Sequence, residues 1–465
     1  MRYYLLVDFG STFTKLTAVD LEKEIILGTA KSITTVDTNI IDGYEKALSE
    51  LYVTLGEVLV FDRVIACSSA AGGLKMVAIG LVEELTVEAA KRVCLGAGAK
   101  VELVLSHHIN NDEINRILDK KIDIILLAGG ANGGNSECVI HNAKKIAESS
   151  ISAPIVFAGN KDATDEVRHL LEQGGKSFHL CENVMPRLNV LNIEDAKNTI
   201  KEIFVKNIIE AKGIKKVEKL IDQVVLPTPN AVLMAAELLS KGFDDIEGLG
   251  DLMLVDVGGA TTDVYSMSLG LPTQMNALLS GLEEPFAKRT VEGDLGMRYS
   301  ALGVLDSMTP SDLSHWNKKG IDIHLEAQKR ASKIDFIAKT EADDTVDDIF
   351  ASQAIHIAVS RHVGTLKAAY TPSGIYYYQV GKDLTQTRFF IGTGGVVINS
   401  KDPIALLRSG THQENRPMEL RPRHLEFLLD KDYILSAMGL LSMEYPEIAL
   451  KIMKKHILKL EELTP

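Results

Sequence analysis

Leu5-Leu6-Val7-Asp8-Phe9-Gly10-Ser11-Thr12-Phe13-Thr14-Lys15 is an apolar run that ends in an aspartate, a glycine and a string of hydroxyl residues. The same order returns as Leu252-Met253-Leu254-Val255-Asp256-Val257-Gly258-Gly259-Ala260-Thr261-Thr262-Asp263, and the leading aspartates lie 248 positions apart (256 minus 8). Each copy reads as a buried strand, a glycine turn and a second strand. Glycine lets backbone approach an anion closely, and hydroxyl and backbone N–H groups donate hydrogen bonds to phosphate oxygens. A carboxylate at a strand end can hold Mg²⁺, usually through water, because that ion keeps much of its hydration shell. One D-x-G after a strand is a common turn. Two copies in matching context predict a pair of hairpins that grip a triphosphate from both sides.

On this reading Asp8 and Asp256 place the Mg²⁺, and Gly10, Ser11, Thr12, Gly258, Gly259, Thr261 and Thr262 cradle phosphates, with Thr14 and Ala260 beside them. Lys15 suits a phosphate partner and a solvent-facing strand lysine equally. A third element, Arg388-Phe389-Phe390-Ile391-Gly392-Thr393-Gly394-Gly395-Val396-Val397, is a strand opening into G-x-G-G. Gly392, Thr393, Gly394 and Gly395 would let backbone pass close to a nucleotide base, so the implied ligands are ATP and Mg²⁺. Glu292 and Asp294 follow the second hairpin, among Arg289, Thr290 and Gly293. One of them would orient an attacking water; a salt-bridged loop with Arg289 or Arg298 is the equal alternative.

Outward from the hairpins, 465 residues exceed one core, which stops growing near roughly 250–300 residues. Residues 1–69 read as the first part of one half, with three strands before the first helix, around Ile41–Leu55. From 70 to 190 short strands alternate with polar helices, the pattern of an inserted Rossmann-like βαβ domain. Residues 191–250 return to the first half as helices, and 251–465 form the second half, with a helical subdomain around 300–350 and a helix over Ser352–Tyr370.

Composition is globular, 46% hydrophobic and 24% charged, and a net charge of −13 argues against nucleic acid as partner. No apolar run approaches the roughly 18 residues of a membrane span, and Asp8 interrupts the N-terminal apolar run too early for a signal peptide. A soluble cytoplasmic protein is expected. Cys67, Cys94, Cys138 and Cys181 show no C-x-x-C spacing, and His107-His108 and His356/His362 lack helical ligand spacing, so hydrogen-bonded histidines and buried thiols are expected rather than metal ligands. Gln173-Gly174-Gly175-Lys176-Ser177 imitates a P-loop, but Leu170 stands where its first glycine belongs. The Gly129–Gly134 loop is a βα turn that could instead contact a cofactor or a partner.

The two hairpins followed by the glycine strand resemble the actin-like ATPase superfamily, which includes sugar kinases and Hsp70. That resemblance implies two ribonuclease H-like halves, with Asp432–Leu440 as the small-residue connecting helix of one and Ala231–Leu239 as its partner. Further stretches narrow it: Cys67-Ser68-Ser69-Ala70-Ala71-Gly72-Gly73-Leu74-Lys75-Met76, Leu85-Thr86-Val87-Glu88-Ala89-Ala90, Ala128-Gly129-Gly130-Ala131-Asn132-Gly133-Gly134, Glu284-Pro285, Arg289-Thr290-Val291-Glu292-Gly293-Asp294-Leu295-Gly296, Gly381-Lys382-Asp383-Leu384-Thr385 and Leu420-Arg421-Pro422-Arg423. Together they resemble the glutamate mutase accessory protein family, called MutL or GlmL and unrelated to the mismatch-repair protein of that name. Such membership implies ATP-driven reactivation or chaperoning of a coenzyme B12-dependent mutase, with the mutase subunits as partners and a homodimer left open. No D-x-H-x-x-G is present, so the partner would bring the cobalamin. D-x-G-G-x-T-T-D also resembles hydantoinase and oxoprolinase subunits, so an ATP-dependent amidohydrolase or a small-metabolite kinase are the alternatives.

Overall fold

The computed structural model describes residues 2–10, 12–33, 40–68, 74–211, 222–372 and 374–460. The chain opens with β1 (Tyr3–Phe9), β2 (Phe13–Asp20) and β3 (Ile25–Ile33), then α1 (Ile40–Leu55) and β4 (Arg63–Ser68). Leu5, Val7 and Phe9 point to one side of the sheet and Tyr4 and Leu6 to the other, each side into its own core, as period-two alternation requires. Burial on both faces explains the near-continuous apolar run.

A second domain interrupts this half after β4. Its elements are β5 (Lys75–Gly80), α2 (Glu88–Gly96), β6 (Lys100–Ser106), α3 (Asn111–Asp119), β7 (Ile124–Leu127), α4 (Glu137–Glu148), β8 (Ile155–Phe157), α5 (Thr164–Gln173) and β9 (Phe178–Leu180). All five strands are parallel, in the order β6-β5-β7-β8-β9, a doubly wound sheet. Its first strand, β5, is one that periodicity missed, because Lys75-Met76-Val77-Ala78-Ile79-Gly80 follows directly on a glycine-rich stretch.

The chain returns through α6 (Glu194–Ala211) to β10 (Gln223–Pro227), which pairs with β4, and enters α7 (Thr228–Lys241). The completed first sheet has the order β10-β4-β1-β2-β3, with β2 antiparallel to both neighbours and β4 and β10 parallel to β1. A small hairpin of β11 (Gly242–Phe243) and β12 (Ile246–Glu247) leads to the second half.

There β13 (Leu252–Val257) and β14 (Thr262–Met267) precede β15 (Ala277–Leu279) and β16 (Ala287–Glu292). Four helices follow: α8 (Ala301–Asp306), α9 (Pro310–Lys318), α10 (Ile323–Ser332) and α11 (Glu341–His362). In α9 the indole of Trp316 has His315 edge-on at 4.8 Å and the Lys319 ammonium 4.8 Å above its ring. The expected helix over Ser352–Tyr370 is corrected here: α11 starts earlier and ends at His362, and β17 (Thr365–Thr371) pairs antiparallel with β18 (Gly374–Val380). The β-branched and aromatic residues of Ile375-Tyr376-Tyr377-Tyr378-Gln379-Val380 suit a strand, and Gly364 lies against the Gly381–Lys382 backbone, where a side chain would not fit.

The chain ends with β19 (Phe389–Thr393), α12 (Gly395–Asn399), α13 (Pro403–Arg408), β20 (Glu426–Asp430), α14 (Leu435–Leu441), α15 (Pro446–His456) and β21 (Ile457–Lys459). The second sheet runs β16-β14-β13-β19-β20-β21. Again the second strand is antiparallel to the first, and the next two, β19 and β20, are parallel to it in turn. The halves therefore share one topology. Between the two sheets, α7 and α14 pack into a common core with Leu6, Leu254 and Ile391. Gly439 of α14 lies on the backbone of Ala231 in α7, so close that a Cβ would fall 2.8 Å from the Ala231 Cα.

Candidate functional site

The two quoted motifs form hairpins of one geometry. Gly10 donates its N–H to the Phe13 carbonyl at 3.0 Å, and Gly258, its counterpart 248 positions on, donates to the Thr261 carbonyl at 2.9 Å. The paired registers correspond as well: Phe9 faces Thr14, and Val257 faces Thr262. The hairpin tips face each other, since a Cβ on Gly259 would lie 3.2 Å from the Thr12 hydroxyl. Ser11 lies outside the described residues. Carbonyls of the second tip are held from behind, Gly258 by Met297 N–H and Gly259 by Arg298 and Tyr299 N–H. Ser300 Oγ donates to the Ala260 carbonyl at 2.9 Å.

Not every hydroxyl of the hairpins faces the cleft. Thr14 and Thr262 are both buried, and the Thr262 hydroxyl donates to the Leu295 carbonyl at 2.6 Å. Thr261 donates to Asp263 at 3.0 Å.

Both aspartates stand at the strand ends where the halves meet. Asp8 is buried and accepts hydrogen bonds from Thr228 at 2.6 Å and Ser436 at 3.0 Å, with the Lys15 ammonium at 3.8 Å. Thr228 opens α7 and Ser436 belongs to α14, so both central helices point a hydroxyl at one carboxylate. Asp256 accepts from the Tyr433 hydroxyl at 3.2 Å. A third carboxylate, Asp430, ends β20, where it accepts the Ile434 and Leu435 N–H groups and the Thr393 hydroxyl.

One cation serves all three. The Lys15 ammonium rests 3.1 Å above the Tyr433 ring centroid and feels Asp8, Asp256 and Asp430. Burial pushes this ammonium down from its usual range while the carboxylates pull it back up. Burial pushes Asp256 up to about 6, with Lys15 opposing and Asp263 and Asp8 adding to the rise. Lys15 is thus a member of the cluster rather than a solvent-facing strand residue. Sequence reasoning missed Asp430, Tyr433, Thr228 and Ser436. Only Asp430 carried a signal, an aspartate closing the apolar run Phe427-Leu428-Leu429, as Asp8 and Asp256 close theirs.

The glycine strand reaches the same place. Thr393 lies opposite Asp256 across β13 and β19, and Gly394 takes a φ of +97° with its Cα against Val257 and Asp256. A Cβ there would sit 2.9 Å from Asp256 Oδ1, in a backbone conformation that side chains disfavour. Gly392 is hemmed in by Val397 and Leu407, whereas space beside Gly395 is open.

Glu292 and Asp294 are brought together by Arg361, which donates to Glu292 at 2.6 Å and to both oxygens of Asp294 at 2.9 and 3.0 Å. The expected partners, Arg289 and Arg298, instead hold Asp263 and Asp347. Arg361 follows them by roughly seventy positions, beyond the reach of local reasoning. Burial raises the Glu292 carboxyl above its ordinary range. Of the histidines, the His108 ring lies tilted against His141 with centroids 4.6 Å apart, His362 lies buried between Thr290 and Ser266, and His356 adjoins Ser409, Gln413 and Arg421. Cys67, Cys94 and Cys138 are buried free thiols and Cys181 is half-buried. Among the described residues, no helix is long and apolar enough to cross a membrane.

Two halves of one ribonuclease H-like topology, joined face to face through paired helices and presenting opposed D-x-G hairpins, define an actin-like fold carrying an inserted doubly wound domain. Within that class the family is specific: a family model described as MutL protein matches residues 4–457, and the chain belongs to this family. It is 50% identical over 461 residues, 99% of its length, to the whole of Protein MutL from Clostridium tetanomorphum. Among solved structures it is similar to a diol dehydratase-reactivating factor in nucleotide-free form (10% identity, 96% of this chain and 100% of that one, TM-score 0.37). A gluconate kinase from Lactobacillus acidophilus aligns with 9% identity over 99% of this chain and 93% of that one, TM-score 0.36. Those superpositions are loose, and the fold assignment rests on strand order and register.

Proposed function

We propose that the chain binds Mg²⁺-ATP between its halves and uses nucleotide-driven movement of the halves to reactivate or chaperone a coenzyme B12-dependent amino-acid mutase. The observation that carries the nucleotide part is the apposition of the two hairpins, Gly259 against Thr12, beside the carboxylates of Asp8 and Asp256. This donor set fits the ligand. Two carboxylates with hydroxyl neighbours suit a hydrated Mg²⁺, which takes few direct protein ligands, and hairpin N–H groups suit phosphate oxygens. Asp8 and Asp256 would hold the ion, Gly10, Thr12, Gly258, Gly259, Ala260 and Thr261 would border the phosphates, and Lys15 would compensate their charge. Gly392, Gly394 and Gly395 would border the adenosine. Mg²⁺, when bound, neutralises charge on the phosphates. Glu292, held by Arg361 and kept less acidic by burial, suits a water-orienting role better than the more exposed Asp294.

The mutase part rests on family membership, since the MutL/GlmL resemblance implies service to such an enzyme. ATP plus this protein should restore turnover to a mutase blocked with cyanocobalamin. Failure to do so, with ATP hydrolysed only when a small cyclic amide or sugar is added, would replace this reading with an amidohydrolase or a kinase.

A further inference from the structure

The turn joining α2 to β6 in the inserted domain, Leu95–Lys100, is held by both halves at once. From the first half, Asn230 donates to the Gly96 carbonyl at 3.1 Å, and Gly98 packs on Asn230 and Pro227 with a φ of +87°. Asn230 lies two residues after Thr228, the residue that bonds Asp8. From the second half, the buried guanidinium of Arg289 on β16 donates to the Leu95 carbonyl at 3.4 Å and the Ala99 carbonyl at 3.3 Å. That same guanidinium is paired with Asp263 at 2.6–2.8 Å, and Asp263 accepts the hydroxyl of Thr261 in the second hairpin. Around this joint Arg92 of α2 binds the Glu283 carbonyl and Glu284, and the Lys100 side chain covers Gly293.

We infer that Arg289 is the positioning residue through which nucleotide at the second hairpin and the orientation of the inserted domain act on each other. The inference rests on the nucleotide reading above and assigns the regulation of that site. An Arg fork can satisfy a carboxylate and two carbonyls at once, where a lysine offers a single point charge. A phosphate that recruits the Thr261 hydroxyl takes a donor from Asp263. Asp263 then holds Arg289 differently, and the Leu95 and Ala99 carbonyls follow. Asn230 fixes the other side of the turn, and its Oδ1 is buried without a hydrogen-bond donor, so this side can take up a new partner when the turn shifts. Linkage makes the effect reciprocal: a partner that reorients the inserted domain changes nucleotide affinity by the same factor.

The test is hydrogen exchange of residues 88–106 in the full-length protein, with and without Mg²⁺ and a non-hydrolysable ATP analogue at saturation verified by calorimetry. In the wild type, the analogue should change exchange in this segment by about fivefold or more. Arg289→Lys and Asp263→Asn should each bind the analogue with that response lost, and either variant alone decides the matter if the other fails to fold. Binding by the wild type with no change in 88–106, or a response that persists in the variants, overturns the coupling alone. No binding by the wild type overturns the nucleotide reading and the coupling with it.

Discussion

Among the described residues Lys15 is the one ammonium that serves Asp8, Asp256 and Asp430, and Tyr433, whose ring it covers, adopts a left-handed φ of +56°. Such a backbone conformation costs energy for a tyrosine and persists only where surrounding contacts impose it. With the carboxylates outnumbering their cation, a divalent ion is the natural supplement. Asp8→Ala or Asp256→Ala should abolish Mg²⁺-dependent ATP binding, measured by calorimetry; normal affinity in either would remove the site assignment. The raised Asp256 carboxyl, near 6, sets a pH dependence. Protons compete with the metal, so Mg²⁺-ATP affinity should fall by up to about tenfold per unit as pH drops well below 6. For stability the sign is that of a raised acid. The folded state binds this proton more tightly than the unfolded state, so the favourable contribution present below the ordinary 3.8 is lost as pH rises through 6. Asp256→Asn should therefore raise the melting temperature more at pH 8 than at pH 4, and equal shifts at both would contradict the assigned titration.

Elements that repeat were legible, and those built from distant pieces were not. The hairpins declared themselves because each motif is local: apolar run, aspartate, glycine, hydroxyls. The α7–α14 pair was readable only through the resemblance to actin-like ATPases, and Gly439, pressed on the Ala231 backbone, shows why its residues are small. Strands β17 and β18 were hidden beside a long helix, since helical period can extend on paper past the Gly364 turn that ends it. Tyr433 went unread because its partners, Asp256 and Lys15, lie on other strands, Asp430 because only the fold brings Thr393 and Lys15 to it, and Arg361 because it binds Glu292 from the end of α11. The helix pair yields its own prediction. Gly439→Ala must push α14 off α7, at a cost of about 1–3 kcal/mol by overpacking, visible as a lowered melting temperature. Because Ser436 and Thr228 ride on those helices, Mg²⁺-ATP affinity should fall with it.

At the scale of the whole molecule, the inserted domain is what distinguishes this chain from a bare pair of halves, and it touches both. Ligand bound in the cleft should stabilise the folded chain as a unit, by about 2.7 kcal/mol at a hundredfold excess over Kd. A calorimetric scan with Mg²⁺-ATP should show a single raised transition, absent for Asp8→Ala; a rise confined to one of two separated transitions would mean that the cleft does not join the halves.

Trp316 is the only tryptophan in the chain, and it sits in α9 of the second half. Of the four cysteines, only Cys181, just past β9 in the inserted domain, is not fully buried. The natural sequence therefore carries a lone indole donor on one body and a single most accessible thiol on the other. An acceptor dye placed on Cys181 turns that pair into a spectroscopic ruler between them, read by energy transfer with no residue changed. Labelling would need alkaline solution, since burial raises the Cys181 thiol above its ordinary range.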